Sequence, residues 1–265
     1  VGVFDSGIGG LTVLKALAAR LPGEDFLYLG DTARLPYGTK TAATVERYAL
    51  QAVHALVRRG VKAVVVACNT ASAAALPALA AGHPGLPVIG VIAPGAAAAV
   101  AATRSGRIAV IATEGTVRGG AYQDGIRRLR PDAEVTAVAG TLFVALAEEG
   151  WTQGGIAEEA ARRYLAPLFG DPRRRPDVLV LGCTHFPPLG AAIAAVTGPA
   201  VRIVDSAEPT AESLAGLLAA RDLLSEESQG VCRFLVTDGE ERFQRVGPVF
   251  LGRRIAADEV ERVNL

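Results

Sequence analysis

The stretch VKAVVVACNTAS, residues 61–72, decides the fold. Its β-branched and apolar run, residues 61–67, reads as a strand buried on both faces, the kind that belongs to a parallel sheet. A second stretch, PDVLVLGCTHFP at residues 176–187, repeats the frame: an apolar run at 178–182, then a cysteine, then small polar residues. In open parallel sheets, ligands gather at the carboxyl ends of the strands. Cys68 and Cys183 both fall there, so each half of the chain is expected to deliver one thiol to one place.

Working outward from these runs, strands are expected at 1–4, 26–29 and 87–91, with helical patterns at 11–19, 39–59 and 71–81 between them. In the second of these helices Val45, Tyr48, Ala49, Ala52, Val53, Leu56 and Val57 form one apolar stripe, and Gly60 ends it. A second series begins after Pro94, with strands at 107–111, 134–138, 177–181 and 201–204. Helical segments at 115–130, 142–149, 156–168 and 189–196 separate them. Strand then helix, repeated, means right-handed crossovers and a mostly parallel sheet. The fold class is therefore α/β, as two similar α/β domains with a site in the cleft between them. The tail, 207–265, carries a helix, a strand and a helix whose home pattern alone does not fix. We assign it to the first domain, giving 1–92 plus 206–265 around Cys68 and 93–205 around Cys183.

Composition bounds the function. With 265 residues, 50 % of them hydrophobic, the chain can bury one large core or two modest ones. Its 27 basic and 27 acidic residues leave no net field for nucleic acid or an anionic membrane. The nearest basic cluster, Arg173 to Arg175, is short, flanked by prolines and reads as a solvated loop. No apolar stretch reaches the ~18 residues of a membrane helix, because Pro94 and Gly95 interrupt residues 91–102. Three cysteines form no disulfide scaffold, and no signal peptide is read ahead of Val1, so reduced thiols in the cytoplasm are expected. Cys232 reads as a packing residue.

A cysteine that ends a strand and opens a helix at Asn69 and Thr70 meets unsatisfied N–H groups and the positive end of a helix dipole. That setting is expected to lower the thiol from about 8.5 toward neutrality and make it a usable base or nucleophile. A lone cysteine there would more often be a small apolar residue, but the duplicate in GCTHF favours chemistry. His185, two residues beyond Cys183, is placed to assist that thiol as acid or base. A metal site fits poorly, since Cys183 and His185 have only Cys68 as a third ligand, and zinc takes four. A redox disulfide between the two cysteines lacks the usual Cys-x-x-Cys pair.

The opening VGVFDSGIGGLTVLKAL, residues 1–17, runs from a buried strand through Asp5 and a glycine loop into a helix. The amides of Ser6 to Gly10 are placed to face an anion. The spacing departs from the dinucleotide fingerprint, and Asp31 is the only candidate for its distal acid. Asp5 equally suits orienting an ammonium group or tuning a thiol. Pro36, Tyr37 and Gly38 form a loop before a helix, which a simple turn would also explain.

The segments FDSGIGGLTVLKAL, DTARLPYGTKT, ACNTASA, GVIAPGA, IATEGTV, LGCTHFPPL and VERVNL occur in this order along the whole chain. In order and spacing they resemble the glutamate racemases, cofactor-independent enzymes that make D-glutamate for peptidoglycan and the cell wall. The resemblance implies that Cys68 and Cys183 are acid–base catalysts on opposite faces of the substrate α-carbon. It implies that Asp5 assists Cys68, that His185 assists Cys183, and that Glu148 is a further acidic site residue. Substrate contacts are implied at Asp5, Ser6, Pro36, Tyr37, Gly38, Asn69, Thr70, Thr113, Thr116, Thr184 and His185. It implies glutamate as the partner, a homodimer, no cofactor and no metal. The chain departs from the family pattern at Gly119, at Gly140 and Thr141, and at Ala145, all near the rim of the second domain. The Glu148–Glu149 pair reads equally well as a solvated helix end. Two rival readings stand beside this one: a related aspartate or hydantoin racemase, and a two-domain binding protein for a small dicarboxylate whose cysteines merely pack.

Overall fold

The computed structural model describes residues 1–171 and 174–265. Pro172 and Arg173 lie outside the described residues, and with Arg173 part of the cluster expected to be a solvated loop. Of that cluster, Arg174 is exposed and Arg175 half-buried.

The first half alternates β1 (Gly2–Asp5), α1 (Leu11–Arg20), β2 (Phe26–Gly30), α2 (Ala42–Val57), β3 (Val64–Val66), α3 (Asn69–Gly82) and β4 (Val88–Gly90). There follow α4 (Ile92–Ala102), β5 (Arg107–Ala112), α5 (Glu114–Gly119), α6 (Ala121–Leu129), β6 (Glu134–Ala139), α7 (Leu142–Glu148) and α8 (Gly155–Phe169). The chain closes with β7 (Val178–Gly182), α9 (Gly190–Thr197), β8 (Arg202–Val204), α10 (Ala207–Ala219), β9 (Cys232–Val236), α11 (Glu240–Leu251) and β10 (Val260–Arg262).

Two sheets result, a six-stranded one in the order β10-β9-β2-β1-β3-β4 and a four-stranded one in the order β6-β5-β7-β8. Every pairing among the described residues is parallel. The register sets Phe4 opposite Leu29 on one side and Val66 on the other. It sets Val110 opposite Val180 in the smaller sheet. The tail's strand β9 pairs with β2 and so extends the first sheet.

Both faces of each sheet are covered, which is why the strands read as unbroken apolar runs. In the first sheet Phe4, Leu29, Val64 and Val66 point into a core with the apolar stripe of α2 and with α3. Their neighbours Val3, Tyr28, Val65 and Phe234 point the other way, toward α1 and α11. The second sheet divides likewise, Ile108, Val110 and Val180 packing with α4 and α6. Ala109, Ile111, Leu179 and Leu181 join the α7, α8 and α9 side, in the same continuous cluster as Val3 and Tyr28. One core thus runs through both halves. Each fully buried Val or Leu in it is worth roughly 1.5–3 kcal/mol.

Several boundaries differ from expectation for local reasons. The helix expected at 39–59 begins at Ala42, where Thr41 caps it by accepting the Thr44 N–H at 3.3 Å. The helix expected at 115–130 is two, because Gly120 takes φ +69° and breaks the run. Helix α4 was not foreseen. Pro94 lies in its first turn, where a missing N–H costs nothing, rather than before its start. Strand β10 was also unforeseen, being only three residues, Val260–Arg262, with two of them exposed.

Candidate active site

Each sheet has one place where its strand order reverses, and each cysteine sits there. In the first sheet the chain moves from β1 to β2 on one side and to β3 on the other, so the crevice lies past Asp5 and Ala67. In the second it moves from β5 to β6 on one side and to β7 on the other, so the crevice lies past Ala112 and Gly182. Cys68 follows β3 and Cys183 follows β7, and both thiols are free, buried and lining one enclosed cavity of about 30 Å³. That is room for roughly two waters.

The first half supplies Ser6, Pro36, Tyr37, Gly38, Asn69 and Thr70 to the cavity wall. The second half supplies Thr113, Glu148, Thr184 and His185. Of the residues implied by resemblance, Asp5 and Thr116 are buried behind the wall rather than in it. Glu149 is exposed, whereas Glu148 lines the cavity. Tyr37 faces the cavity, but its hydroxyl donates to Asp31 behind it. Burial and the Asp31 carboxylate hold that phenol well above its ordinary range, so it stays a donor.

The glycine loop turns its amides toward a carboxylate of the chain itself. The Gly7 N–H donates to Asp5 Oδ2 at 2.9 Å, so the loop turns an amide onto the chain's own carboxylate. A Cβ on Gly9 would sit 2.4 Å from His185 Nδ1 and 2.5 Å from Thr184 Oγ1. A Cβ on Gly38 would sit 2.5 Å from Thr113 Cβ. These glycines let backbone from the first half press against site residues of the second. Around the same seam Thr70 Oγ1 lies 2.9 Å from Thr113 Oγ1 and 3.2 Å from Thr116 Oγ1.

Cys68 caps α3: its sulfur accepts the Ala71 N–H at 3.5 Å and its thiol donates to Ser6 Oγ at 3.5 Å. The helix-start setting is as expected, yet the thiol is not lowered. Burial and the nearby Asp5 carboxylate push it up to about 12. Asp5 itself is raised by burial, against the pull of His185 and of the Gly7, Gly10 and Ser6 amides. Its Oδ1 is buried without a partner among the described residues. Asn69 Oδ1 accepts the Tyr122 hydroxyl at 2.8 Å, which leaves the Asn69 Nδ2, also unpartnered among the described residues, as the free donor of that amide.

Cys183 has a different neighbourhood. Its Sγ is 4.0 Å from His185 Nδ1, and His185 Nε2 is 3.0 Å from Glu148 Oε1. Burial would lower the imidazole, but its bonds to Cys183 and Glu148 win and hold it at about 10. Glu148 shows the converse: burial would raise it, and the bonds from His185 and Arg242 keep it low. The ring of Phe250 stands edge-on to His185 with centroids 5.3 Å apart.

Sequence reasoning missed four supporting residues. Asp31 was considered only as a ribose acid, whereas it accepts from Tyr37, from Thr237 at 3.0 Å and from Arg34 at 2.7 Å. Tyr122 stands five residues past the IATEGTV segment, Arg242 and Phe250 lie outside every quoted segment, and only the tertiary fold brings the three near the site. Among the described residues no cluster of three or more His, Cys, Asp or Glu could hold a metal ion.

The fold is thus two parallel α/β sheets, each with a free thiol just past a strand at its switch point. The chain belongs to the Asp/Glu/hydantoin racemase family, whose model matches residues 7–214. It is 50 % identical to the glutamate racemase of Geobacter metallireducens over 266 aligned residues, covering 100 % of this chain and 96 % of that one. A crystal structure of a glutamate racemase isoform from Bacillus anthracis superposes with a TM-score of 0.94 at 36 % identity, covering 100 % of this chain and 97 % of that one. The glutamate racemase of Francisella tularensis, solved in complex with D-glutamate, superposes at 0.91 with 38 % identity, covering 99 % and 96 %.

Proposed function

We propose that this chain interconverts L- and D-glutamate by taking a proton from one face of the α-carbon and returning one to the other. The observation that carries the reading is the arrival of two free thiols, from the switch points of two different sheets, in one enclosed cavity. A stereocentre has two faces, and inversion through proton transfer needs a base at one and an acid at the other. In one direction Cys68, as thiolate, takes the proton and Cys183 delivers one from its thiol. In the other the roles exchange, and no cofactor enters either step.

Asp5 assists Cys68, and His185 with Glu148 assists Cys183. The Asn69 amide and the hydroxyls of Ser6, Thr70, Thr113 and Thr184 hold the two substrate carboxylates, with Pro36, Tyr37 and Gly38 closing the wall and Thr116 bracing the threonines. The α-carboxylate takes up charge as the proton leaves, and donors fixed in a dry cavity stabilise it most. A cavity of about 30 Å³ does not admit an amino acid, so the two halves part for substrate and close around it. They act as two domains, 1–92 with 206–265 and 93–205.

The physiological role that follows is supply of D-glutamate for peptidoglycan, by a homodimer in the cytoplasm. No helix among the described residues is long and apolar enough to cross a membrane. In deuterated buffer with no added cofactor, the purified protein is expected to exchange the α-hydrogen of glutamate and to abolish its optical rotation. If neither enantiomer gains deuterium or changes rotation, the dicarboxylate-binding reading replaces this one. Turnover of aspartate or a hydantoin in preference to glutamate would move the assignment within the family.

A further inference from the structure

We propose that Arg242 is a positioning residue of the site: from the first turn of α11 it clamps the outer oxygen of Glu148, so that the inner oxygen stays on His185. The Arg242 Nη2 lies 2.9 Å from Glu148 Oε2, and Glu148 Oε1 lies 3.0 Å from His185 Nε2. A single carboxylate is thereby divided, one oxygen to each partner.

The placement of both charges asks for a reason. Glu148 is the last residue of α7, where the helix dipole disfavours an anion. Arg242 is in the first turn of α11, where the dipole disfavours a cation, although Glu240 and Glu241 beside it suit that end. Each sits at the wrong end of its own helix and is matched by the other. The arginine side chain is 46 % exposed and the glutamate 10 %. An ion pair with one exposed partner adds little to stability, so its effect falls on where the carboxylate points. The ionisable groups that face His185 are Cys183, Glu148 and Asp5. Of these, Glu148 is held from outside the cavity by the Arg242 guanidinium.

This inference deepens the racemase reading and rests on it for its kinetic arm. Arg242→Gln is expected to lower kcat about tenfold, short of the ~10²-fold that losing an acid–base group costs, with KM nearly unchanged and Arg242→Lys recovering part of the loss. In a Glu148→Gln background the same substitution is expected to add nothing, since its route is gone. An arm independent of activity is the nuclear magnetic resonance titration of the His185 imidazole, one of only three histidines. A released Glu148 swings away and the titration moves to lower pH. If Arg242 were merely a nearby cation, its removal would leave the titration in place or move it higher. Either of those results, or an undiminished loss in the Glu148→Gln background, overturns the proposal. A wild-type chain that racemises nothing would sink the racemase reading instead, and the titration would still decide the role of Arg242.

Discussion

Cys68 and Cys183 hold equivalent positions in their sheets, each just past a central strand at the reversal of strand order, yet their surroundings are opposite in charge. Beside Cys68 lies a buried carboxylate, Asp5, whose Oδ1 has no partner among the described residues. Beside Cys183 lies an imidazole tied through Glu148 to Arg242 at the surface. The first thiol is thus held as a thiol by burial and by that carboxylate, pushed up to about 12. Bringing a cationic ammonium group beside Asp5 would relieve the repulsion that keeps it there. The second thiol has the His185 imidazole beside it instead. The lesson is that equal folds need not give equal surroundings: the sheet places the sulfur, and at Cys68 burial first and the Asp5 charge second hold the thiol protonated.

This contrast breaks most sharply at the sulfurs. Cys68→Ala is expected to end racemisation while leaving the fold intact, as judged by circular dichroism. A variant that still inverts glutamate removes the two-thiol scheme. Next in size is Asp5→Asn, which deletes the charge but not the shape. It is expected to lower turnover on the order of 10²-fold, as loss of an acid–base assistant does, while making Cys68 ionise at lower pH. Ultraviolet titration of the thiolate checks the second half, and a thiol that ionises no earlier would show that burial alone holds it up.

The smallest effect concerns stability. His185 is raised in the folded state from 6.5 to about 10, so its contribution is complete below the unfolded value and is lost as pH climbs through the folded one. Urea unfolding from pH 6.5 to 10 is expected to show wild type losing more stability than His185→Asn over that window. Parallel curves would mean that the imidazole gains nothing from Cys183 and Glu148.

Much of this was legible in the chain because parallel strands buried on both faces announce themselves. The runs ending at Cys68 and Cys183 gave both the fold class and the meeting of the thiols, since side chains of Val64, Val65 and Val66 must be apolar whichever face they take. What was not legible depended on distance in sequence. Nothing in the local pattern ties Arg242 to Glu148 or Tyr122 to Asn69, because those contacts exist only when helices from separate segments pack. The glycines of the opening loop were visible, but their use was not. An anion-binding loop and a loop that lets His185 approach to within a Cβ's width of Gly9 call for the same residue. The protonation of Cys68 was misjudged in a different way. The helix start that lowers a thiol is local, whereas the burial and the Asp5 charge that outweigh it are tertiary.

The central claim, one thiol for each face, is tested most directly by the label of each enantiomer at early times in deuterium oxide. Starting from pure L-glutamate, chiral mass analysis should find deuterium in the D-glutamate formed and almost none in the L-glutamate recovered, because the proton taken by one sulfur is replaced by a deuteron from the other. Deuterium appearing in unconverted L-glutamate as fast as in the product would mean that a single base serves both faces, and the account would fail.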